Sequence, residues 1–543
     1  MATNCKDGTK HKDSTKCKES TKRKRSRSQA FRKRVLGRPQ GVIQPRVQAV
    51  GPEKFGIVAI DCAKARSKWM LVDFYGNVLS PPAGVEHNRN ALQLAVLTLK
   101  QAVEKHDLKD VIVAVEMTGT YHKPPMRAFR DAGFETRLVH PFASSFYRQA
   151  EHGDEKTDDN DLDAIFRAAV NGFGLLEKPV DSVHHQLQIL TRHRRDLVKK
   201  RAKLQCQIRH HLELALPGFG ALFDGDALWT QATPVPLLEA IAQRGGTVDV
   251  VKQAGQKAIT QWLSEAKVRL HSKTIERVVV WAANAAPSDP MATIHTRVWM
   301  TQLADWKQKT LQIQAVERDS AALLVKTPYV LLLSHPGINV VSAAELAGEM
   351  GPIENYASSK AVCGRAGLFP SRYQSDEVDR GGKLTRFRNA RLRAAWMLIA
   401  DNLLKTNMYW MKKAENWRTE GHKPQDIRAR VANRMTRVVF KMVAGRQIYQ
   451  HASRLDRGYV MDKLLKFHRE RETSPAVTVT DLKHAADQLP KSCRMDEQAK
   501  LQDVASKAQR SRQKGPQELG TLLVAVLAKL GVAAKDDGVI ESK

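Results

Sequence analysis

Four carboxylates in this sequence have the types and spacing of metal ligands. Asp61 and Glu116 each close an apolar run typical of a buried strand, and Asp158 and Asp161 lie three residues apart at the start of a helical pattern. Acids at two strand ends and in the first turn of a helix can converge on divalent metal ions, and such sites cleave phosphodiester bonds. The spacing therefore predicts a nuclease-type active site.

Each of these acids also has an ordinary structural explanation. Asp61 or Glu116 could cap a loop or pair with an arginine, and Asp158 is a favourable helix N-cap residue. The set is more informative than its members. Positions i and i+3 of a helix share a face, so Asp158 and Asp161 can reach the same metal.

The elements around the acids predict an α/β domain over residues 54–180. Two apolar segments, 57–61 and 69–74, are followed by turn residues typical of a hairpin and a short third strand. Helical and extended segments then alternate, and one of the strands ends at Glu116. This order predicts an RNase H-like mixed sheet, in which the first and fourth strands lie side by side. Asp61 would then lie beside Glu116.

The composition predicts a nucleic-acid partner. The 543 residues include 88 Lys and Arg against 57 Asp and Glu, which gives a net charge of +31. A positive field of this size concentrates phosphate polyanions, and the affinity falls as the salt concentration rises. A basic protein without such a partner is the alternative. A chain of this length is expected to hold several domains.

The cysteines and the hydropathy pattern predict a cytoplasmic location. The six cysteines lie far apart without a C-x-x-C pair, which argues against a zinc site or a disulfide scaffold and favours a reducing compartment. No apolar run approaches the roughly 18 residues of a membrane span. The N-terminus is charged but has no apolar signal segment. We therefore expect no membrane partner.

One long segment precedes the α/β domain and another follows it. Residues 1–53 are predicted to form a basic disordered arm, since apolar residues are scarce before Phe31. The arm is interpreted either as a phosphate-binding tether or as a solubilising leader. Residues 181–328 are predicted to form a helical linker, whose heptad-like leucines indicate an antiparallel coiled coil or a dimer contact. A helical insertion at 217–290 interrupts it.

Residues 329–452 are predicted to form a mainly helical domain. The segment 334–346 resembles a helix-hairpin-helix, in which a glycine turn presents backbone N–H groups to a DNA phosphate, although an ordinary helix connection is the alternative. A basic run is predicted to bind nucleic acid, and it comprises Arg372, Arg380, Lys383, Arg386, Arg388, Arg391 and Arg393. Residues 453–543 are predicted to be a partly disordered extension.

Three short blocks resemble the DEDD motifs of the insertion-sequence-110 transposase family. They are Ile60-Asp61-x-x-Lys64, Val115-Glu116-x-Thr118-Gly119-Thr120-Tyr121 and Lys156-Thr157-Asp158-x-x-Asp161. The block from His335-Pro336-Gly337-Ile338 to Arg393 is similar to the C-terminal domain of the same family. The two groups of motifs occur in the family's order, over roughly residues 55–180 and 325–450.

The resemblance implies a recombinase of mobile DNA with a RuvC-like N-terminal domain. The four carboxylates would bind Mg²⁺, with Mn²⁺ as an alternative, and Ser375 would be the nucleophile that forms a covalent link to DNA. Ser371, four residues earlier, is a rival nucleophile. The expected partners are double-stranded DNA at the element ends and target, a bridge RNA, and further copies of the chain in a dimer or tetramer. The expected location is a bacterial nucleoid.

Two other functions stay open on the sequence. A RuvC-like Holliday-junction endonuclease would hydrolyse DNA with metal-activated water, and Ser375 would then be incidental. A non-catalytic nucleic-acid-binding protein could keep the fold without the reaction. The chain also departs from the family pattern, because Asp376 and Arg388 occupy positions where members often have glycine.

Overall fold

The computed structural model describes residues 41–176, 181–268, 272–375, 378–449 and 458–490. These residues fall into two compact units, one within Met1–Pro179 and the other within Val180–Lys543. Most of the predicted basic arm, the extension beyond residue 490 and Asp376 lie outside the described ranges. Within these ranges, no helix combines the length and apolar character that crossing a membrane requires.

The first unit is a mixed sheet with helices. Its strands are β1 (Phe55–Cys62), β2 (Arg66–Asp73), β3 (Val78–Glu86), β4 (Asp110–Glu116), β5 (Glu135–Val139) and β6 (Gly174–Leu176). Its helices are α1 (Gln44–Val50), α2 (Arg89–Lys105), α3 (Lys123–Asp131), α4 (Pro141–His152) and α5 (Asp158–Val170). The sequence predicted β1 to β5, α2, α3 and α5, but not β6, α1 or α4.

The strand order is β3-β2-β1-β4-β5-β6. β1 runs antiparallel to β2 and parallel to β4, and the register pairs Ile60 with Val115. The predicted adjacency of the first and fourth strands is confirmed. Because each acid follows one residue after this pair, Asp61 and Glu116 lie at the same end of neighbouring strands.

Alternation along the central strands divides their side chains between two apolar cores. Ile57 and Ala59 pack on one face of the sheet with residues of α1, α4 and α5. Val58 and Ile60 pack on the other face with residues of α2 and α3. Since helices cover both faces, the central strands are continuous apolar runs rather than alternating ones.

The end of the predicted disordered arm is folded, so the prediction for residues 1–53 is wrong over this part. Ile43 is fully buried, and Val47 of α1 joins the same core. Arg46 donates to Asp110 and Glu135 at 2.6 Å each. The burial of Ile43 and Val47 and the ion pairs of Arg46 offset the conformational entropy that this segment loses on folding.

The second unit is mainly helical. Its helices are α6 (Ser182–Ala215), α7 (Ala227–Thr230), α8 (Pro234–Ala242), α9 (Val248–Glu265), α10 (Ser272–Asn284), α11 (Ala292–Leu324), α12 (Val340–Met350), α13 (Ser359–Ala366), α14 (Ala390–Thr406), α15 (Met408–Thr419), α16 (Pro424–Ala444), α17 (Gly458–Glu470) and α18 (Pro475–Gln488). Two strands, β7 (Pro370–Ser375) and β8 (Val378–Leu384), form a separate hairpin.

The long helices α6 and α11 pack antiparallel and extend through two cores. Arg194 lies against Glu317, whereas His211 lies against His295, which fixes the opposite directions. The far ends of the pair pack with α7 to α10, so the predicted helical insertion has its own core. The near ends pack with α12 to α18. The last two helices therefore belong to this core and not to a detached extension.

Several arginines of α6 are used inside the protein. Arg192 donates to Glu349, which is 2% exposed, and Arg195 pairs with the buried Glu345. Arg194 donates to the buried Glu317 at 2.6 Å. These cations hold α6 against α11 and α12.

The glycine turn at 335–339 differs from the predicted helix-hairpin-helix. A 3-10 helix, Pro328–Ser334, stands where that motif has its first α-helix. Lys463 of α17 donates to the carbonyls of His335 and Ile338 at 2.9 and 2.7 Å. Asn339 caps α12 by accepting from the Ser342 N–H. The alternative, an ordinary helix connection, matches this geometry.

Candidate active site

Asp61 and Glu116 lie on the same face of the sheet. Asp61 continues the alternate positions Ile57 and Ala59, and Glu116 continues Ile112 and Ala114 on the neighbouring strand. This is the face that α4 and α5 cover. The period of two along a strand therefore directs both carboxylates toward the helices that follow in the chain.

The carboxylates of Asp61, Glu116 and Asp161 influence one another. Burial, followed by the negative charges of Glu116 and Asp161, raises the pKa of Asp61 to about 6. A hydrogen bond with Glu116 contributes in the same direction, and the positive charge of Lys156 opposes it. Three acids therefore converge here, and the two cations at Asp161, Lys156 and Arg148, do not balance all three negative charges.

Glu116 is oriented by two hydroxyl groups. Thr118 Oγ1 donates to one carboxylate oxygen at 3.1 Å, and Ser144 Oγ donates to the other. Ser144 is buried on α4, a helix that the sequence did not predict. Thr118 belongs to the same sequence block as Glu116, whereas no sequence pattern indicated that Ser144 would contact this carboxylate.

Asp161 is paired with two cations. Lys156 Nζ donates to it at 2.7 Å, and Arg148 lies 3.2 Å away on α4. Ser144 and Arg148 are four residues apart and so share one face of that helix. α4 thus positions Glu116 through a serine and neutralises Asp161 through an arginine.

Asp158 has a different environment from the other three acids. It lies exposed at the start of α5, where Thr157 caps the helix by accepting from the Asn160 N–H. Within the described part of the chain, its carboxylate forms no hydrogen bond or ion pair. The structure thus brings together Asp61, Glu116 and Asp161, and leaves Asp158 at the solvent side of the same helical turn.

A second group of potential ligands lies nearby on α4 and α5. The ligand atoms of Glu151, His152 and Asp163 are all within 4.8 Å of one another. Arg167 Nε lies 3.3 Å from Glu151 and 3.5 Å from Asp163. The guanidinium supplies the positive charge there, so this group is an ion-pair cluster.

The predicted nucleophile lies on the hairpin of β7 and β8, in the second unit. Ser375 is the last residue of β7 and is exposed. Ser371, the rival, donates its hydroxyl to the carbonyl of Lys383 at 3.0 Å. The Ser371 proton is therefore engaged by the main chain, which favours Ser375 among the two serines.

The predicted nucleic-acid-binding cations have different environments. Arg372 forms a two-point ion pair with Asp379 across the hairpin, at 2.8 and 2.7 Å. Arg393 donates to the carbonyls of Ala366, Gly367 and Thr385, and so holds the base of the hairpin. The others are exposed, and they are Arg380, Lys383, Arg386, Arg388 and Arg391.

Two family models match this chain. The first match begins in the first unit and continues into α6, and the second match lies within the second unit. A model described as a transposase, of the DEDD type, matches residues 58–217 and includes the four carboxylates. A model described as "Transposase IS116/IS110/IS902 family" matches residues 329–415 and includes the hairpin. Together the two matches support an insertion-element transposase of this family. Neither match covers residues 218–328, which contain the separate helical core of α7 to α10.

Proteins of other insertion elements are similar to this transposase over most of their length. The IS116 protein of Streptomyces clavuligerus is 25% identical over 408 residues, which span 73% of this chain and 96% of the relative. The IS900 protein of Mycobacterium paratuberculosis is 25% identical over 328 residues, 58% of this chain and 77% of the relative. Both are described as uncharacterized. Membership of a transposase family implies that the chain binds DNA and that it cleaves and rejoins DNA.

Proposed function

We propose that this transposase cleaves and exchanges DNA strands through a covalent serine–DNA intermediate, with metal-binding carboxylates in the first unit. The observation that carries the proposal is the convergence of Asp61, Glu116 and Asp161 where the central strands β1 and β4 end. The strand order β3-β2-β1-β4-β5, with β2 antiparallel, supports an RNase H-like and RuvC-like fold. The antiparallel α6 and α11 would be the coiled coil.

The donor set fits a hard divalent cation such as Mg²⁺ or Mn²⁺. Asp61, Glu116 and Asp161 offer only carboxylate oxygens, which these ions prefer. Asp158 would join them from the exposed side of α5. When bound, the ion would stabilise negative charge on a phosphate oxygen. Ser144 and Thr118 hold Glu116 in place, and Lys156 would have to leave Asp161 or share it.

The serine step conserves phosphodiester bonds. The Ser375 oxygen would lose its proton and form a bond to phosphorus, while the bond from phosphorus to a deoxyribose oxygen breaks and that oxygen leaves as a hydroxyl. Attack by a hydroxyl of another DNA strand would reverse these events and free the serine. Because each bond broken is replaced by one formed, no high-energy cofactor is needed.

A guide RNA would explain how the protein acts at chosen DNA sites. The exposed cations of the hairpin region can hold phosphate groups but carry no base-specific pattern. Base pairing with an element-encoded bridge RNA would supply the sequence choice, and the protein would hold the backbones. Since the catalytic groups belong to two units, we further propose that the active form is a homo-oligomer.

The test uses a denaturing gel after incubation of the full chain with element-end DNA, RNA transcribed from the element and Mg²⁺. We expect a labelled protein–DNA adduct for the natural chain. Ser375→Ala and Asp61→Asn should each lower the rate of adduct formation by at least about 1,000-fold. Ser371→Ala is the matched control and should keep adduct formation within a few fold.

Other outcomes would support the other functions. Free cleaved ends, formed as fast by Ser375→Ala as by the natural chain, would identify an endonuclease that uses water. Retention of DNA binding without any reaction, in RNA-loaded protein, would identify a non-catalytic binding protein. Adducts lost in Ser371→Ala instead would move the nucleophile to that residue.

A further inference from the structure

The hairpin of β7 and β8 is an exposed ribbon whose two faces differ in charge and in aromatic character. All its described residues are exposed except Leu384 at its base. A two-stranded ribbon has little core of its own, so its exposed side chains can contact a ligand. We propose that one face, formed by Tyr373 and Arg380 beside Ser375, binds an unpaired segment of single-stranded DNA by stacking of a base on Tyr373.

The register of the hairpin places these three residues on one face. Tyr373 pairs with Arg380, and Ser375 pairs with Val378. Residues directly opposite each other in an antiparallel pair share a face, and so do residues two apart in one strand. Tyr373, Ser375 and Arg380 therefore point to the same side, and one residue pair, Gln374 with Asp379, lies between the tyrosine and the serine.

On the opposite face of the hairpin, the charged side chains of Arg372 and Asp379 pair with each other. Gln374 pairs with Asp379, and Arg372 pairs with Gly381 on that side. Asp379 takes the guanidinium of Arg372 in a two-point ion pair. Arg380 has no such ion pair within the described part of the chain. The Ser375 face is thus the one that presents a positive charge available to a phosphate.

The exposure of Tyr373 indicates what kind of phosphate ligand this is. Tyr373 is 65% exposed, pairs with Arg380 across the hairpin and is not a member of the apolar core clusters. A polyanion without rings would gain nothing from the tyrosine, whereas an unpaired nucleotide offers both a phosphate for Arg380 and a base face for Tyr373. In a duplex the base faces are covered by neighbouring bases. The occupant is therefore single-stranded.

The bound single strand is DNA rather than RNA, because Ser375 lies beside Tyr373 on this face. This step rests on the proposed role of Ser375, whose substrate phosphate belongs to a DNA strand. A base stacked on Tyr373 would belong to a nucleotide next to that phosphate. The stacking would hold the strand while the Ser375 oxygen approaches phosphorus. Tyr373 is in this view a substrate-binding residue of the reaction.

The experiment is photocrosslinking of the full chain in EDTA, where no metal-dependent reaction occurs. The probe is a 20-nucleotide single strand of thymidines with one central 5-iodo-deoxyuridine, and the same strand annealed to its complement. We expect a crosslink at Tyr373 from the single strand, found by mass spectrometry of peptides, and little from the duplex. Tyr373→Ala should lose it and weaken single-strand binding by about 5-fold or more.

Three variants serve as controls. Tyr373→Phe should keep the affinity, since the ring and not the hydroxyl stacks. Tyr75→Ala removes a tyrosine of the first unit that is 61% exposed and should change nothing. Arg380→Ala should make the salt dependence less steep, by about 0.7 in the log–log slope for one phosphate that is no longer neutralised.

The results separate this inference from the proposed catalytic function. Ser375→Ala should crosslink as the natural chain does, so loss of adduct formation and loss of stacking are independent observations. The inference is overturned if Tyr373 crosslinks equally to the duplex, if it does not crosslink at all, or if a uridine single strand of RNA crosslinks in preference to DNA.

Discussion

At the scale of single residues, Asp61 is held in an unfavourable charge state by its neighbours. Its pKa is raised to about 6 from 3.8 by burial and then by Glu116 and Asp161. Between these pH values the unfolded chain releases the proton and the folded chain keeps it. Stability therefore falls as the pH rises from about 4 to about 6 and stays lower above that. The fold thus stores repulsion at a site that a cation would relieve.

Replacing Asp61 with asparagine should stabilise the metal-free protein at neutral pH. The difference between the two pKa values corresponds to at most about 3 kcal/mol, so we expect a gain of about 1–3 kcal/mol at pH 7.5 and none at pH 4. Urea unfolding in EDTA at both pH values measures it. Replacement of the exposed Asp154 by asparagine is the control and should change little. An equal or lower stability of Asp61→Asn at pH 7.5 would contradict the assigned repulsion.

The sequence could predict the carboxylates but not what positions them. Acids after apolar runs, and an acidic pair three residues apart at the start of a helical pattern, are local patterns, and they led to two strand ends and one helix start. The helix cap was assigned less well, since Thr157 and not Asp158 is the N-cap residue. Ser144 and Arg148 meet Glu116 and Asp161 only because α4 folds back over the sheet. Such contacts depend on tertiary packing, which leaves no spacing rule in the chain.

At the scale of elements, the second unit depends on a close approach between α6 and α12. A Cβ atom at Gly348 would lie 2.8 Å from the backbone nitrogen of Gln188 on α6. The side chain of Gln188 also donates to the carbonyl of Gly348 at 3.3 Å. The two helices can only keep their buried arginine–glutamate pairs if this position has no side chain.

Alanine at two helical glycines should therefore have opposite effects. Gly348→Ala should cost about 1–3 kcal/mol, because the new methyl group forces α12 away from α6. Gly364→Ala in α13 should instead stabilise by about 0.5–1 kcal/mol, since its Cβ would meet nothing within 4 Å and alanine favours the helix. Tryptophan fluorescence in urea reports the second unit, because only Trp69 of the nine tryptophans is outside it. A gain for both variants would show that the helices can separate without loss.

Elements were predictable where their own pattern was strong. The strands of the first unit and the helices α6 and α11 have apolar periodicity, so they could be predicted without tertiary information. The hairpin of β7 and β8 has no alternation, since both of its faces are exposed. Three arginines of α6 meet glutamates that lie far along the chain. Sequence spacing cannot identify such distant partners.

At the scale of the whole molecule, the charge is unevenly distributed along the chain. Residues 1–40 hold 14 of the 88 lysines and arginines and three of the 57 acids, which is +11 of the net charge of +31. Residues 41–50 differ, because Gly41 donates to the carbonyl of Gly172 and Arg46 joins the sheet. Residues 41–50 therefore contribute to the packing of the first unit.

Two truncations that differ by residues 41–50 should behave differently. Removing residues 1–40 should leave the melting temperature unchanged but weaken binding to duplex DNA by about 10-fold or more at low salt. The slope of log affinity against log salt concentration should become less steep by about 0.9 for each phosphate that the arm neutralises. Removing residues 1–50 should also lower the melting temperature, because the first unit then lacks Ile43, Arg46 and Val47. Fluorescence anisotropy over a salt series and thermal unfolding measure the two effects. If the shorter truncation binds DNA with the full slope, the arm is a solubilising leader, and the phosphate-binding cations belong to the folded units alone.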